Sequence, residues 1–220
     1  MADEPQYNEA LIKAKEAQAQ KHAAVSHDPP AGGESRLPPG QMLTKAFPIL
    51  DLGIRPSKEL YPRWSLELKG NIENPKTLSL DELKQLANQN ITADFHCVTR
   101  WSRFDLHWQG IPFSKIIQIA NPKSDTKFVV FHAFDKYTTN VPYAELLKEK
   151  VMVATLLEGE EIPPEHGGPI RMIIPHLYGW KSCKFLTEIQ FLTHDQPGFW
   201  EERGYSNSAR PWKEDRYSDG

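Results

Sequence analysis

The chain has 220 residues, 39% of them hydrophobic, enough for one large domain or two small ones with a real core. Its 26 Lys and Arg stand against 29 Asp and Glu, a net charge of −3, which argues against a dedicated nucleic-acid binder. Two cysteines, Cys97 and Cys183, exclude a disulfide framework and fit a reducing compartment. No apolar run approaches the roughly 20 residues that a membrane span needs. The start, Met1-Ala2-Asp3-Glu4-Pro5, has no basic region followed by an apolar stretch, so a soluble, cytoplasmic protein is expected.

Along the chain, residues 1–40 read as a flexible or partly helical arm followed by a linker. Glu9 to Ala24 can form a helix with a thin apolar face, and Pro29-Pro30-Ala31-Gly32-Gly33 and Pro38-Pro39-Gly40 break structure. A single folded domain is expected over 41–220. Trp64 to Leu68 alternates apolar and polar, as a half-buried strand does. Ser79 with Glu82 three residues on is a capping box that opens a helix toward Asn88. Phe128 to Phe134 reads as a buried strand, and Pro142 to Lys150 as a short helix with Pro near its first turn. Further strands are expected at Val151 to Leu157, Pro169 to Ile174 and Lys184 to Leu192, the last with Phe185, Thr187, Ile189 and Phe191 on one face. Short strands outnumber short helices, so the fold class is α+β with mixed sheets. No GxGxxG sequence, Walker A sequence or internal repeat is present.

Four stretches can carry chemistry. In Asp94-Phe95-His96-Cys97-Val98-Thr99-Arg100-Trp101-Ser102-Arg103 a lone cysteine sits among potential cations, His96, Arg100, Arg103 and His107. Nearby positive charge favours a thiolate, which suits either a metal ligand or a nucleophile. Such crowding of cations is costly in a core without an anion to pair with it. In Glu165-His166-Gly167-Gly168-Pro169-Ile170-Arg171 a Gly-Gly-Pro turn lets backbone approach a ligand, and Arg171 offers a planar fork suited to phosphate. Tyr178-Gly179-Trp180-Lys181-Ser182-Cys183-Lys184 supplies ammonium groups, a hydroxyl and backbone N–H groups, a plausible anion cradle. The aromatic tail around Trp200 and Tyr205 packs back onto the domain and offers a phenol as proton donor. Histidines are scattered and no HExxH or paired-Cys pattern exists, which argues against zinc hydrolysis.

Taken in order, His96 to Ser102, Asp135-Lys136-Tyr137-Thr138-Thr139-Asn140, His166 to Arg171 and Tyr178 to Lys184 resemble the molybdopterin-binding oxidoreductases. That family includes sulfite oxidase and the catalytic subunit of bacterial methionine sulfoxide reductase. The resemblance runs from about Phe47 to Trp212 and implies a sulfite-oxidase-type fold. It implies that Cys97 is the protein thiolate ligand to molybdenum, joining the soft dithiolene sulfurs of the cofactor. It implies that His166, Arg171, Ser182 and Lys184, with the backbone at Cys183, bind the pterin and its phosphate, with Leu50, Asp51 and His96 as further cofactor contacts. Tyr205 falls where sulfite oxidases carry an active-site tyrosine. The implied reaction is two-electron oxygen-atom transfer on a small oxo donor or acceptor, either sulfite-like oxidation or S- or N-oxide reduction.

The chain departs from sulfite oxidases in two places. No arginine lies in Phe47 to Asp51, and Ser102 stands where they carry an arginine five residues after the ligand cysteine; Arg100 and Arg103 are the candidate substitutes. The chain carries no haem domain, so a separate electron-transfer partner is implied. Two rival functions remain on the sequence: a thiol hydrolase with Cys97 as nucleophile and His132 or His166 as base, and a non-catalytic cofactor-binding module.

Overall fold

Two β-sheets carry the fold, and their order explains why the strands alternate as they do. The computed structural model describes residues 7–14, 17 and 35–218. In the first sheet β1 (Met42–Leu43), β5 (Trp101–Pro112), β8 (Met152–Leu157) and β10 (Arg171–Ile173) lie side by side; β4 (Gln89–His96) also pairs with β5 and β9 (Glu160–Glu161) with β8. The second sheet runs β3 (Lys76–Ser79), β2 (Ser65–Gly70), β11 (Leu186–Leu192), β6 (Phe128–Ala133) and β7 (Thr138–Pro142). β11 is parallel to β2 and antiparallel to β6, so the second sheet is mixed.

The main core lies where side chains from both sheets meet: Leu66, Leu68, Phe131 and Phe191 from the second, Val153 and Met172 from the first. Successive strand residues point to opposite faces. Met152, Ala154 and Ile173 therefore turn to a second cluster, with Trp108 and Leu106, behind the first sheet. The first sheet is thus covered on both faces, which accounts for the apolar run at Met152 to Leu157, interrupted by Thr155 alone.

The capping box holds: the Glu82 N–H donates to Ser79 Oγ at 3.3 Å and the Ser79 N–H to Glu82 Oε2 at 2.8 Å. It opens α1 (Leu80–Leu86), two residues shorter than expected. The expected helix at 142–150 is a short 3-10 turn, Tyr143–Leu147. The strand at Lys184 to Leu192 begins at Leu186. A register shift between Leu186 and Glu188 buries both Phe185 and Leu186 and leaves Thr187 half-buried, so the single apolar face expected is broken. Residues 9–14 and 17 are helical; the rest of the expected arm helix and Pro29–Gly33 lie outside the described residues. Ile12 is buried and the Tyr7 ring meets Phe199 edge-on at 5.4 Å, so residues 7–14 pack on the domain.

The long β4–β5 hairpin and α2 (Phe113–Ala120) were not legible in the sequence. A register shift between Ala93 and Phe95, together with Asp105 at positive φ, breaks the two-residue period twice. α2 follows directly from Pro112 and ends on Asn121 in the left-handed conformation, whose N–H donates to Ile117 O at 2.8 Å.

Candidate active site

Cys97 stands at the tip of the β4–β5 hairpin. Its N–H donates to Trp101 O at 2.9 Å, and its carbonyl accepts the Arg100 N–H at 3.1 Å and Gln41 Nε2 at 3.1 Å. The backbone therefore fixes the turn without help from the sulfur. Sγ lies 3.2 Å from Thr99 Oγ1, and the residue is 8% exposed. It opens into a cleft of about 900 Å³, counting the part open to solvent. Cys97, Leu50, Asp51, His166, Arg171, Ser182, Lys184 and Tyr205 all line this cleft, so most of the residues singled out in the sequence converge, although they span more than 150 positions.

The basic end is built from two glycine turns. Gly167 has φ +103° and a Cβ there would come within 2.8 Å of Lys184 Cγ, so glycine lets the lysine stem cross the turn. Lys184 Nζ donates to Glu165 O at 2.6 Å and lies 3.9 Å from Asp51 Oδ2. Burial opposes ionisation of Asp51, but the Arg55 hydrogen bond and Lys184 hold its carboxyl below the usual range. Arg171 is fully buried and donates to the carbonyls of His166 (2.7 Å), Ser182 (2.9 Å) and Met172 (3.3 Å). Its charge faces the rings of Phe95 and Trp108, and no carboxylate among the described residues pairs with it. Burial lowers its pKa to about 10, so it stays charged at neutral pH. His166 stacks on Phe47 at 4.5 Å; burial, then Lys184 and Arg171, push it down to about 4, so it is a neutral hydrogen-bonding group.

At Gly179 a Cβ would come within 2.3 Å of the Phe95 ring, so the bare turn brings Trp180 close to the Cys97 hairpin. The Tyr205 ring meets Trp180 edge-on at 5.4 Å and tilts against Trp200 at 4.9 Å; all three rings line the cleft.

Three expected residues lie elsewhere. His96 is buried behind the hairpin, its Nδ1 2.8 Å from Ser102 Oγ and its ring against Trp212; burial pushes it down to about 4. Arg100, at positive φ, turns toward Glu214, 3.8 Å away. Arg103 donates to the Lys45 carbonyl. The Cys183 side chain is enclosed in the core, where burial raises its pKa, and the contact expected of this residue is through its backbone. Of the two bases of the hydrolase reading, His132 sits on the second sheet, 3.1 Å from both Gln190 Oε1 and Glu188 Oε1 and outside the cleft lining, whereas His166 shares the cleft with Cys97.

Asp135, Tyr137, Thr99 and Trp180 line the cleft and were given no role on the sequence, although all four lie inside three of the recognisable stretches. Burial raises Asp135 to about 6 against an ordinary 3.8. A carboxyl whose folded pKa is raised costs stability as pH rises through the window from about 4 to 6, and the full cost is present above it. Asp135→Asn keeps an acceptor for the Tyr137 N–H, now 3.2 Å from Oδ1. The cofactor-free variant should exceed wild type in unfolding free energy at pH 8 by up to about 3 kcal/mol, with the gap closing near pH 4. Denaturant melts at both pH values check this; a gap that does not depend on pH contradicts it.

The oxidoreductase molybdopterin-binding domain family matches residues 53–200. The chain is 40% identical over 183 residues to the uncharacterized oxidoreductase YuiH of Bacillus subtilis, 83% of this chain and 92% of that one. It is 32% identical over 170 residues to the protein-methionine-sulfoxide reductase catalytic subunit MsrP of Campylobacter jejuni, covering 67% of this chain and 57% of the relative. In fold it is similar to the sulfane dehydrogenase SoxCD of Paracoccus pantotrophus, with a TM-score of 0.57 at 17% identity over 66% of this chain and 41% of that one. The chain thus spans a little over half of the MsrP relative and less than half of the SoxCD chain. No helix among the described residues is long and apolar enough to cross a membrane. The α+β fold is of the sulfite-oxidase type, and the chain belongs to the molybdopterin-binding oxidoreductases.

Proposed function

We propose that this oxidoreductase reduces an uncharged S-oxide, with molybdenum held by Cys97. One observation carries the choice of substrate. Arg171 and Lys184 are the only arginine or lysine among the described residues that line the cleft, and both lie within residues 163–185. Arg100 and Arg103, which a small dianion such as sulfite would need, turn away, and Ser102 is buried in contact with His96. The Trp180, Trp200 and Tyr205 rings suit a neutral sulfoxide. The MsrP relatives, which are protein-methionine-sulfoxide reductase subunits, point the same way.

The residues present fit the molybdenum cofactor. A fully buried guanidinium with no carboxylate partner among the described residues, beside Lys184, suits the cofactor's phosphate, because an uncompensated cation in a core is otherwise costly. A thiolate at position 97 suits a soft metal. His166 and Ser182 would hold the pterin, and Asp51 and Asp135 offer acceptors to its N–H groups. When bound, the cofactor supplies two-electron chemistry with oxygen-atom transfer. Overall, the S-oxide takes two electrons and two protons and leaves as sulfide and water. The electrons come from a separate electron-transfer partner. Tyr205 Oη would donate a hydrogen bond to the substrate oxygen and favour its departure.

Holoenzyme should reduce dimethyl sulfoxide or methionine sulfoxide with a reduced viologen dye, and oxidise sulfite at least about tenfold less well in kcat/KM. Faster turnover of sulfite would sink the assignment. Tyr205→Phe should lower kcat by about ten- to a hundredfold with molybdenum content intact; metal loss would make it a structural residue.

A further inference from the structure

One of the largest fully buried side chains is a lysine. Lys181 has no exposed surface, and its Nζ lies 2.6 Å from Glu201 Oε1, whose side chain is 3% exposed. The same carboxylate oxygen accepts Trp180 Nε1 at 2.9 Å and Thr139 Oγ1 at 3.0 Å. Lys181 Nζ donates further to Asn140 O at 2.7 Å and Asn140 Oδ1 at 3.2 Å. Burial pulls the ammonium pKa down, and Glu201 pulls it back up.

Stability alone gives a poor account of this node. Buried ion pairs are often replaceable by apolar residues of similar volume without loss. Glu201 Oε2 is also buried with no hydrogen-bond partner among the described residues, a cost a purely structural pair would avoid. What the node does is join three segments. β7 brings Thr139 and Asn140, the 3-10 turn Gly179–Lys181 brings Trp180, and the turn after Trp200 brings Tyr205. Tyr137 Oη donates to Trp180 O at 2.7 Å and so braces the same turn. An indole has one donor, and the Trp180 donor goes to Glu201, so that carboxylate sets how the ring turns toward Tyr205.

We propose that Glu201, neutralised by Lys181, is a positioning residue that fixes the Trp180 ring and, through it, the Tyr205 phenol in the cleft. The proposal rests on the reading of this cleft as the S-oxide site. Holding a donor in one orientation matters because small displacements of a positioned group cost large factors in rate.

Two neutral pairs test it in the full-length holoenzyme. Lys181→Met with Glu201→Gln keeps an acceptor oxygen for Trp180 and Thr139. Lys181→Met with Glu201→Leu is equally uncharged and lacks that acceptor. Fluorine NMR of fluorotryptophan-labelled protein, with the Trp180 resonance assigned by Trp180→Phe, reads the ring directly. Dimethyl sulfoxide reduction reads kcat and KM. In the leucine pair the Trp180 resonance should shift and broaden, and kcat should fall about tenfold or more with KM changed less than about threefold. The glutamine pair should recover the resonance and most of kcat. Trp180→Phe, which deletes the donor and spares the ion pair, should also lower kcat; it keeps the test open should a double variant fold poorly. A wild-type resonance and kcat in the leucine pair would overturn the proposal, as would equal losses in both pairs. Absence of any S-oxide reduction in wild type would instead defeat the functional reading, and the fluorine spectra would still decide the positioning role.

Discussion

Cys97→Ser should fold normally and lose S-oxide turnover by at least about a hundredfold. Changing a group that merely orients a metal ligand costs ten- to a hundredfold, so replacing the ligand itself should reach the upper end. The hydroxyl is a hard donor where the metal prefers sulfur. The fold should tolerate the change, because the hairpin tip is held by bonds of the Cys97 main chain to the Trp101 and Arg100 backbone and to the Gln41 side-chain amide. Cofactor-free stability should therefore move by no more than about 1 kcal/mol. Turnover within about threefold of wild type would remove Cys97 from the reaction.

Arg171→Lys should weaken cofactor retention by about ten- to a hundredfold, the value of one charge-assisted hydrogen bond. Lysine keeps the charge but cannot reproduce the fork that reaches the His166 and Ser182 carbonyls at once. Retention is best read as the rise in melting temperature of loaded over cofactor-free protein, since a ligand that binds only the folded state stabilises it by mass action. That rise should shrink in the variant. An undiminished rise, with only the cofactor-free baseline lowered, would make Arg171 a packing residue.

Much of the site was legible because its chemistry is written in short contiguous stretches. A lone cysteine, a Gly-Gly-Pro turn before Arg171 and the Gly179 turn before Ser182 and Lys184 each announced an anion or metal function. The fold then brought them to one cleft. Side-chain direction was less legible. Arg100 and Arg103 lie close to Cys97 in sequence, yet the positive φ at Arg100 turns it toward Glu214, and Arg103 reaches the Lys45 carbonyl. Proximity along a hairpin tip says little about which side a residue faces. Strands with a clean two-residue period, such as Trp64 to Leu68, were read correctly. β4 and β5 were missed because a register shift and Asp105 at positive φ disrupt theirs. Lys181 read as one of the ammonium groups of an anion cradle, whereas the fold buries it against Glu201, outside the cleft lining.

The sulfur ligand is the point on which the rest depends. X-ray absorption at the molybdenum edge of the holoenzyme, compared between wild type and Cys97→Ser, counts it directly. The expected result is one sulfur fewer around the metal in the variant. An identical sulfur shell in both proteins would contradict the assignment of Cys97 as the ligand.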